Sequence, residues 1–238
     1  MASHARGSYV STRARAQLLG GLLVGSALLC WVAVGYDIAD GRLLGQEAAG
    51  QALEPGRKHA YQATGYLVQS AQLFLLGITG LVFVEWLYQS RANLRAFGVR
   101  QLRYGRGWAV GAFLVPGLNL FRPYAVIREV WQASDPASRD PFAWTRVRPN
   151  RLLPVWWGVF VAWGMLALAA LAMALGADHD AGKLQGARFV ATVADVCAAI
   201  GASLAYFVVE HISESQEEKR GVGPREGVPA LGSALEAH

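Results

Sequence analysis

Four apolar runs, each about as long as a bilayer is thick, leave this chain few ways to fold. They lie at Leu18–Tyr36, Gly65–Tyr88, Pro154–Gly176 and Arg188–Val209. Each offers roughly 20 residues, which at 1.5 Å per residue covers a hydrocarbon core of about 30 Å. Hydrophobic residues make up 53% of the chain and come in blocks rather than in alternation, which argues against a half-buried sheet. The expected fold class is an all-α integral membrane protein with four transmembrane helices.

Charge orients it. The loop from Gln89 to Leu153 carries eleven arginines, and short loops rich in Lys and Arg stay on the cytoplasmic side. The tail before the first run adds Arg6, Arg13 and Arg15, while the two loops on the other side, the first of them a solvated loop over Asp37–Tyr61, hold only Arg42, Arg57, Lys58, Lys183 and Arg188. Both termini are therefore expected in the cytoplasm. The domain reading is a cytoplasmic tail over 1–17, a four-span membrane domain over 18–209, and a mostly disordered cytoplasmic tail over 210–238. The first run exceeds a secretory h-region and no small-x-small cleavage site follows it, so it reads as an anchor. Cys30 and Cys197 both fall inside spans and read as small buried hydrophobes. The isoelectric point near 9.5 follows from this one-sided piling of basic residues and from anionic headgroups, with no need of nucleic acid.

The arginine-rich loop has an organisation of its own. Trp108–Leu120 reads WAVGAFLVPGLNL: apolar, too short to span, broken by Pro116 and Gly117, and bracketed by Arg106 and Arg122. It enters and leaves on one side, either lying in the interface or as a re-entrant hairpin supported by protein or water. Pro123 then opens a helix, PYAVIREVWQAS, with Pro in the first turn where its missing N–H costs nothing. Tyr124, Ile127 and Trp131 share one face and Ala125, Arg128, Glu129 and Gln132 the other, the pattern of an in-plane amphipathic helix. Trp108, Tyr124, Trp131, Trp144, Trp156 and Trp157 are placed to form an aromatic belt at the cytoplasmic interface. Two Asp-Pro pairs, Asp135–Pro136 and Asp140–Pro141, make the stretch to Asn150 an irregular linker.

The segments WLYQSRANLRAFG (Trp86–Gly98), LRYGRGWAVGAFLVPGLNLFRPYAVIREVWQASDP (Leu102–Pro136) and LLPVWWGVF (Leu152–Phe160) resemble the bacterial multi-span membrane family catalogued as domain of unknown function 4328. The most specific pieces are RANLRAFG, GWAVG, VPGLNLFRPY and REVW. The resemblance implies a four-helix membrane fold and a shared interfacial module, and the expected setting is the bacterial plasma membrane. It implies no activity. Onto this module fall Trp108, Pro116, Asn119, Arg122, Pro123, Tyr124, Arg128, Glu129 and Trp131.

Polar residues inside the spans are the remaining leads. Asp195 lies about a third of the way into the fourth span, where a carboxylate is costly and faces a partner or a wet cavity. It belongs to a stripe with Thr192, Ala199, Ala202, Ser203 and Tyr206 at three- and four-residue steps. Gln69 and Gln72 enter from the same side on the second span, and Gln72 reaches about the same depth as Asp195. These four, Gln69, Gln72, Thr192 and Asp195, form a candidate polar layer, either a structural clamp or a proton or cation site. Glu85 sits near the cytoplasmic end of the second span, where it is expected to pair with an arginine such as Arg91, Arg95 or Arg122. Gly21 and Gly25 make a small-xxx-small pair suited to close helix packing. Asp178, His179 and Asp180 are consecutive and point in different directions, so no metal site is expected, and no cofactor.

No Ser/His/Asp or Cys/His constellation is recognisable, so the expectation is not an enzyme. The reading is a non-catalytic membrane module whose basic, aromatic cytoplasmic face binds anionic lipid, a membrane-protein partner or a second copy of itself. The alternative is a small transporter or channel component using the layer around Asp195.

Overall fold

A computed structural model describes residues 9–222 apart from 52, 53, 106, 116, 139 and 179. The terminal stretches 1–8 and 223–238, and with them the outer parts of both expected tails, lie outside the described residues. Among the described residues six α-helices follow one another: α1 Arg13–Ala48, α2 Pro55–Ala96, α3 Trp108–Leu114, α4 Arg122–Ser134, α5 Leu152–Leu175 and α6 Ala181–Val222. Of these, α1, α2, α5 and α6 are long and apolar enough to cross a membrane. Their apolar residues face outward: Leu67, Leu73, Phe74 and Leu81 on α2 are each more than 70% exposed. An exposed apolar surface of that extent needs lipid around it. The chain is a multi-pass membrane protein.

The helices outrun the spans. At 42 residues, α2 and α6 reach about 63 Å, twice a hydrocarbon core. The loop expected over Asp37–Tyr61 is mostly helix, with the turn confined to the few residues between Ala48 and Pro55. The tail expected to be mostly disordered from Glu210 instead continues α6 to Val222. The reason lies in its packing: Ile212, Ser213, Ser215 and Gln216 are buried, so a polar sequence is held by partners rather than released by composition. At its other junction α2 stops at a left-handed glycine. Gly98 has φ 74°, its neighbour Val99 donates to Leu94 O at 3.1 Å, and both Val99 and Leu94 are buried, a helix end that only glycine closes cheaply.

Helix α1 runs antiparallel along α6, with Gly20 against Tyr206, Gly41 against Arg188 and Gly45 against Gln185. Helix α5 covers another side of α6, α2 packs on α1, and α4 sits between α2, α6 and α3 at the arginine-rich end. Small residues on α1 make its approach to α6 possible, since Gly20, Gly41 and Gly45 leave room for the α6 side chains set against them, and Ala187, Ala194, Ala199 and Ala205 on α6 are all buried. The small-xxx-small pair read at Gly21 and Gly25 is not what packs this seam. Nothing approaches Gly21 and only Leu75 comes near Gly25; the close contacts fall one residue earlier, at Gly20, and more than four turns later, at Gly41 and Gly45.

Candidate functional site

Two polar clusters stand out, one at each end of the long helices. At the arginine-rich end, the strings that carry the family resemblance come together in space. Arg91 and Glu129 form an ion pair at 3.2 Å with both side chains almost fully buried, and Arg91 also donates to the backbone carbonyl of Tyr104. Glu129 accepts the backbone N–H of Arg103 at 2.7 Å. One carboxylate thus ties α2 to the loop that leads into α3. Asn93 donates to Val10 O at 2.9 Å and to Gln216 Oε1 at 3.1 Å. Gln216 in turn donates to Ser90 O and Ser134 Oγ. Three chain segments, α2, α4 and α6, meet at this glutamine, and Asn93 links the stretch before α1 to them.

Aromatic rings fill the space around that network. Trp86 donates to Ser213 Oγ at 3.0 Å, Trp144 to Arg100 O at 3.0 Å and Trp157 to Leu120 O at 2.9 Å. Trp131 stacks on His211 with centroids 4.0 Å apart. Trp131, Trp144, Trp156 and Trp157 are buried, so the expected aromatic belt is in large part an internal core. The indoles of Trp144 and Trp157 have their hydrogen-bond partners in protein rather than at a headgroup level. Helix α4 is corrected likewise: Glu129, Gln132, Ala133 and Ser134 are as buried as Val126, Ile127 and Val130. Its polar face meets the rest of the protein, leaving Arg128 exposed, and it is not a surface-lying amphipathic helix.

The remaining surface of this end is apolar and basic side by side. Helix α3 turns its Ala109 and Ala112 inward, and a 3₁₀ turn follows at Leu118–Leu120. Gly117 has φ 79°, the left-handed geometry that lets the segment reverse. Val110, Val115, Leu118, Leu120 and Phe121 are exposed, Phe121 by 73%. Arg122 closes the segment with its guanidinium 4.9 Å from the Trp108 ring and 5.7 Å from that of Tyr104, a cation–π arrangement. Phe113 touches Phe83 of α2, which touches Trp156 of α5, so the segment lies against the ends of the spans.

Other residues singled out from sequence are placed as follows. Asn119 is exposed, Pro123 is buried and Tyr124 is half-buried beside Trp157. Pro116 lies outside the described residues, as do Arg106, Arg139 and His179. Glu85 pairs with Arg15 of α1 at 2.8 Å in an exposed bridge, not with Arg91, Arg95 or Arg122. The arginines nearest Glu85 in sequence lie in the loop that follows, whereas its partner sits on the neighbouring helix α1. Arg95 is exposed in the last turn of α2. Lys219 donates to Ala133 O at 2.8 Å and Asp135 O at 3.1 Å, holding the last carbonyls of α4. Burial lowers its pKa to about 8. Glu217 accepts from Tyr9 at 2.9 Å and from the Ser11 hydroxyl, and chiefly the Ser11 bond holds its carboxyl below the usual range.

At the opposite end, Gln72 of α2 donates to Asp195 Oδ1 of α6 at 2.9 Å. The other two members of the expected layer stand apart: Gln69 is exposed, and Thr192 spends its hydroxyl on the carbonyl of Arg188 one turn back. What sequence reasoning missed is α1. Arg188 donates from Nη1 to Asp37 Oδ1 and pairs through Nε with Asp40 Oδ2, both at 3.0 Å, and lies 5.5 Å from the Tyr36 ring. Asp195 comes within hydrogen-bonding reach of Asp37. Asp37 follows directly on the first apolar run, so it read as the start of a solvated loop. The signal available was its three-residue spacing from Asp40, which puts both carboxylates on one helix face.

Residues 49–214 match the family model described as Domain of unknown function (DUF4328). No curated protein and no solved structure matches the chain. The match includes the Arg91–Glu129 pair, the α3–α4 segment, Arg188 and Asp195. It leaves out Asp37, Asp40 and Gln216.

Proposed function

The chain belongs to the DUF4328 family, whose description assigns no activity, and from the site itself we propose that it is a non-catalytic membrane module. Its basic, aromatic end holds anionic lipid headgroups. The observation that carries this is the α3–α4 segment, where exposed Leu118, Leu120 and Phe121 run straight into Arg122 poised over Trp108. Apolar side chains at the acyl boundary with a guanidinium one residue further suit a phosphate at headgroup depth. Exposed Arg100, Arg103, Arg128, Arg148 and Arg151 add a field that favours anionic lipid, each worth about 1 kcal/mol near such a surface. We place this end, and both termini, in the cytoplasm of a bacterial cell, on the arginine asymmetry.

Native mass spectrometry of protein released from mixed phosphatidylglycerol and phosphatidylcholine nanodiscs tests the reading. Retained phosphatidylglycerol should drop several-fold in Arg122→Ala/Arg128→Ala, with phosphatidylcholine unchanged. Equal retention by the variant and the wild type would defeat it, and a co-purifying protein lost in the same variant would replace lipid with a protein partner.

A second reading is a small transporter or channel component. The Gln72–Asp195 bond favours it, because it joins two spanning helices through polar groups at membrane depth.

A further inference from the structure

Only one of the two carboxylate oxygens of Asp37 is accounted for. The residue is 3% exposed. Its Oδ1 accepts from Arg188 at 3.0 Å, while its Oδ2 is buried and has no hydrogen-bond donor among the described residues. The side chain beside this carboxyl group is another acid, Asp195, whose own Oδ1 is taken by Gln72 at 2.9 Å. Two carboxylates in contact at the margin of hydrocarbon repel strongly, and the pair is relieved when one of them is neutral. A buried acceptor oxygen without a donor, next to a second acid, has the same need, which is a hydrogen between the two groups.

We propose that Asp37 and Asp195 form a proton-binding site, sharing one exchangeable proton between their carboxyl groups. The shared proton satisfies the orphaned Oδ2 and turns a repulsive contact between α1 and α6 into a hydrogen bond. The charges around it are named by the geometry. From α1 come Tyr36, Asp40 and the thiol of Cys30, which lies 3.9 Å from Gln72; from α6 comes Arg188; from α2 comes the uncharged Gln72. With one proton in the pair, Asp37, Asp40, Asp195 and Arg188 together carry a single negative charge. A metal cation fits less well than a proton, because the guanidinium already occupies Asp37 Oδ1 and Asp40 Oδ2. The arginine side chain is 22% exposed, which gives the site a wetted edge from which the proton exchanges.

This inference names the ligand of the polar layer in the second reading above but stands on the carboxyl pair alone. Infrared spectra of the full-length protein in nanodiscs, with aspartate labelled by heavy carbon at its side-chain carboxyl, test it. A protonated-carboxyl C=O stretch is expected at neutral pH, shifted by the label and by deuterium oxide, and lost in both Asp37→Asn and Asp195→Asn. If either variant fails to fold, the labelled wild-type spectrum still decides. Absence of the band across the neutral range, or a carboxylate stretch that moves on adding sodium, potassium or magnesium, would overturn the proposal. Proton flux into proteoliposomes separates the two ideas: a band without flux keeps the shared proton and removes transport, and flux without the band does the reverse.

Discussion

Glu129 gathers the Arg91 guanidinium at 3.2 Å and the backbone N–H of Arg103 at 2.7 Å on one buried carboxylate. Removing one member of such a pair strands the other charge away from water, which costs about 3–5 kcal/mol, whereas replacing both by apolar groups is often close to neutral. Glu129→Leu should therefore lower the thermal midpoint in detergent steeply, and Arg91→Met/Glu129→Leu should recover most of the loss. An equally damaged double variant would mean that the carboxylate acts through the Arg103 backbone instead. Both residues were legible in the sequence as charges but not as a pair. Periodicity puts Glu129 on the polar side of α4, yet a periodic pattern reports that two faces differ and not what each face meets. Asp37 was lost for a related reason: hydropathy ends a span where charge begins, while the helix runs on.

Helix α2 meets α1 through a residue with no side chain. A Cβ placed on Gly65 would overlap the Tyr36 hydroxyl, which reaches across to Tyr61 O at 3.2 Å. Gly65→Ala should cost about 1–3 kcal/mol through overpacking, and Tyr36→Ala should suppress that cost in the double variant. Additive losses in that cycle would mean that the two positions do not touch. At the scale of elements, the four apolar cores were readable because length and composition alone identify them. The helix ends were not. Polar extensions of α1, α2 and α6 look like loops or disorder until their buried partners are known, and Gln216 finds those partners in Ser90, Asn93 and Ser134, far away in sequence. The short α3 was readable as a segment that cannot span, since seven residues cover about 10 Å.

Topology is the property that belongs to the whole molecule. With Cys30 and Cys197 replaced by Ala, a single cysteine introduced at the exposed Gln62 should react with an impermeant maleimide on intact cells. One introduced at the exposed Arg148 should react only after lysis. The reversed pattern would invert the protein and move the lipid proposal to the outer leaflet. The same arginine asymmetry on which the orientation is proposed also conceals the architecture, because a count of charges cannot separate Arg91, buried in an ion pair, from Arg100 in solvent. One element passes through everything described above. Helix α6 has no proline along its 42 residues, and Asp195 and Gln216 sit on it 21 residues apart (216 − 195), about 32 Å along the axis. An unbroken helix behaves as a stiff rod, so sliding it by a fraction of a turn would pull Gln216 out of register with Asn93 in the same stroke that parts Asp195 from Gln72. Strain introduced at either membrane face is felt at the other without any loop in between to absorb it.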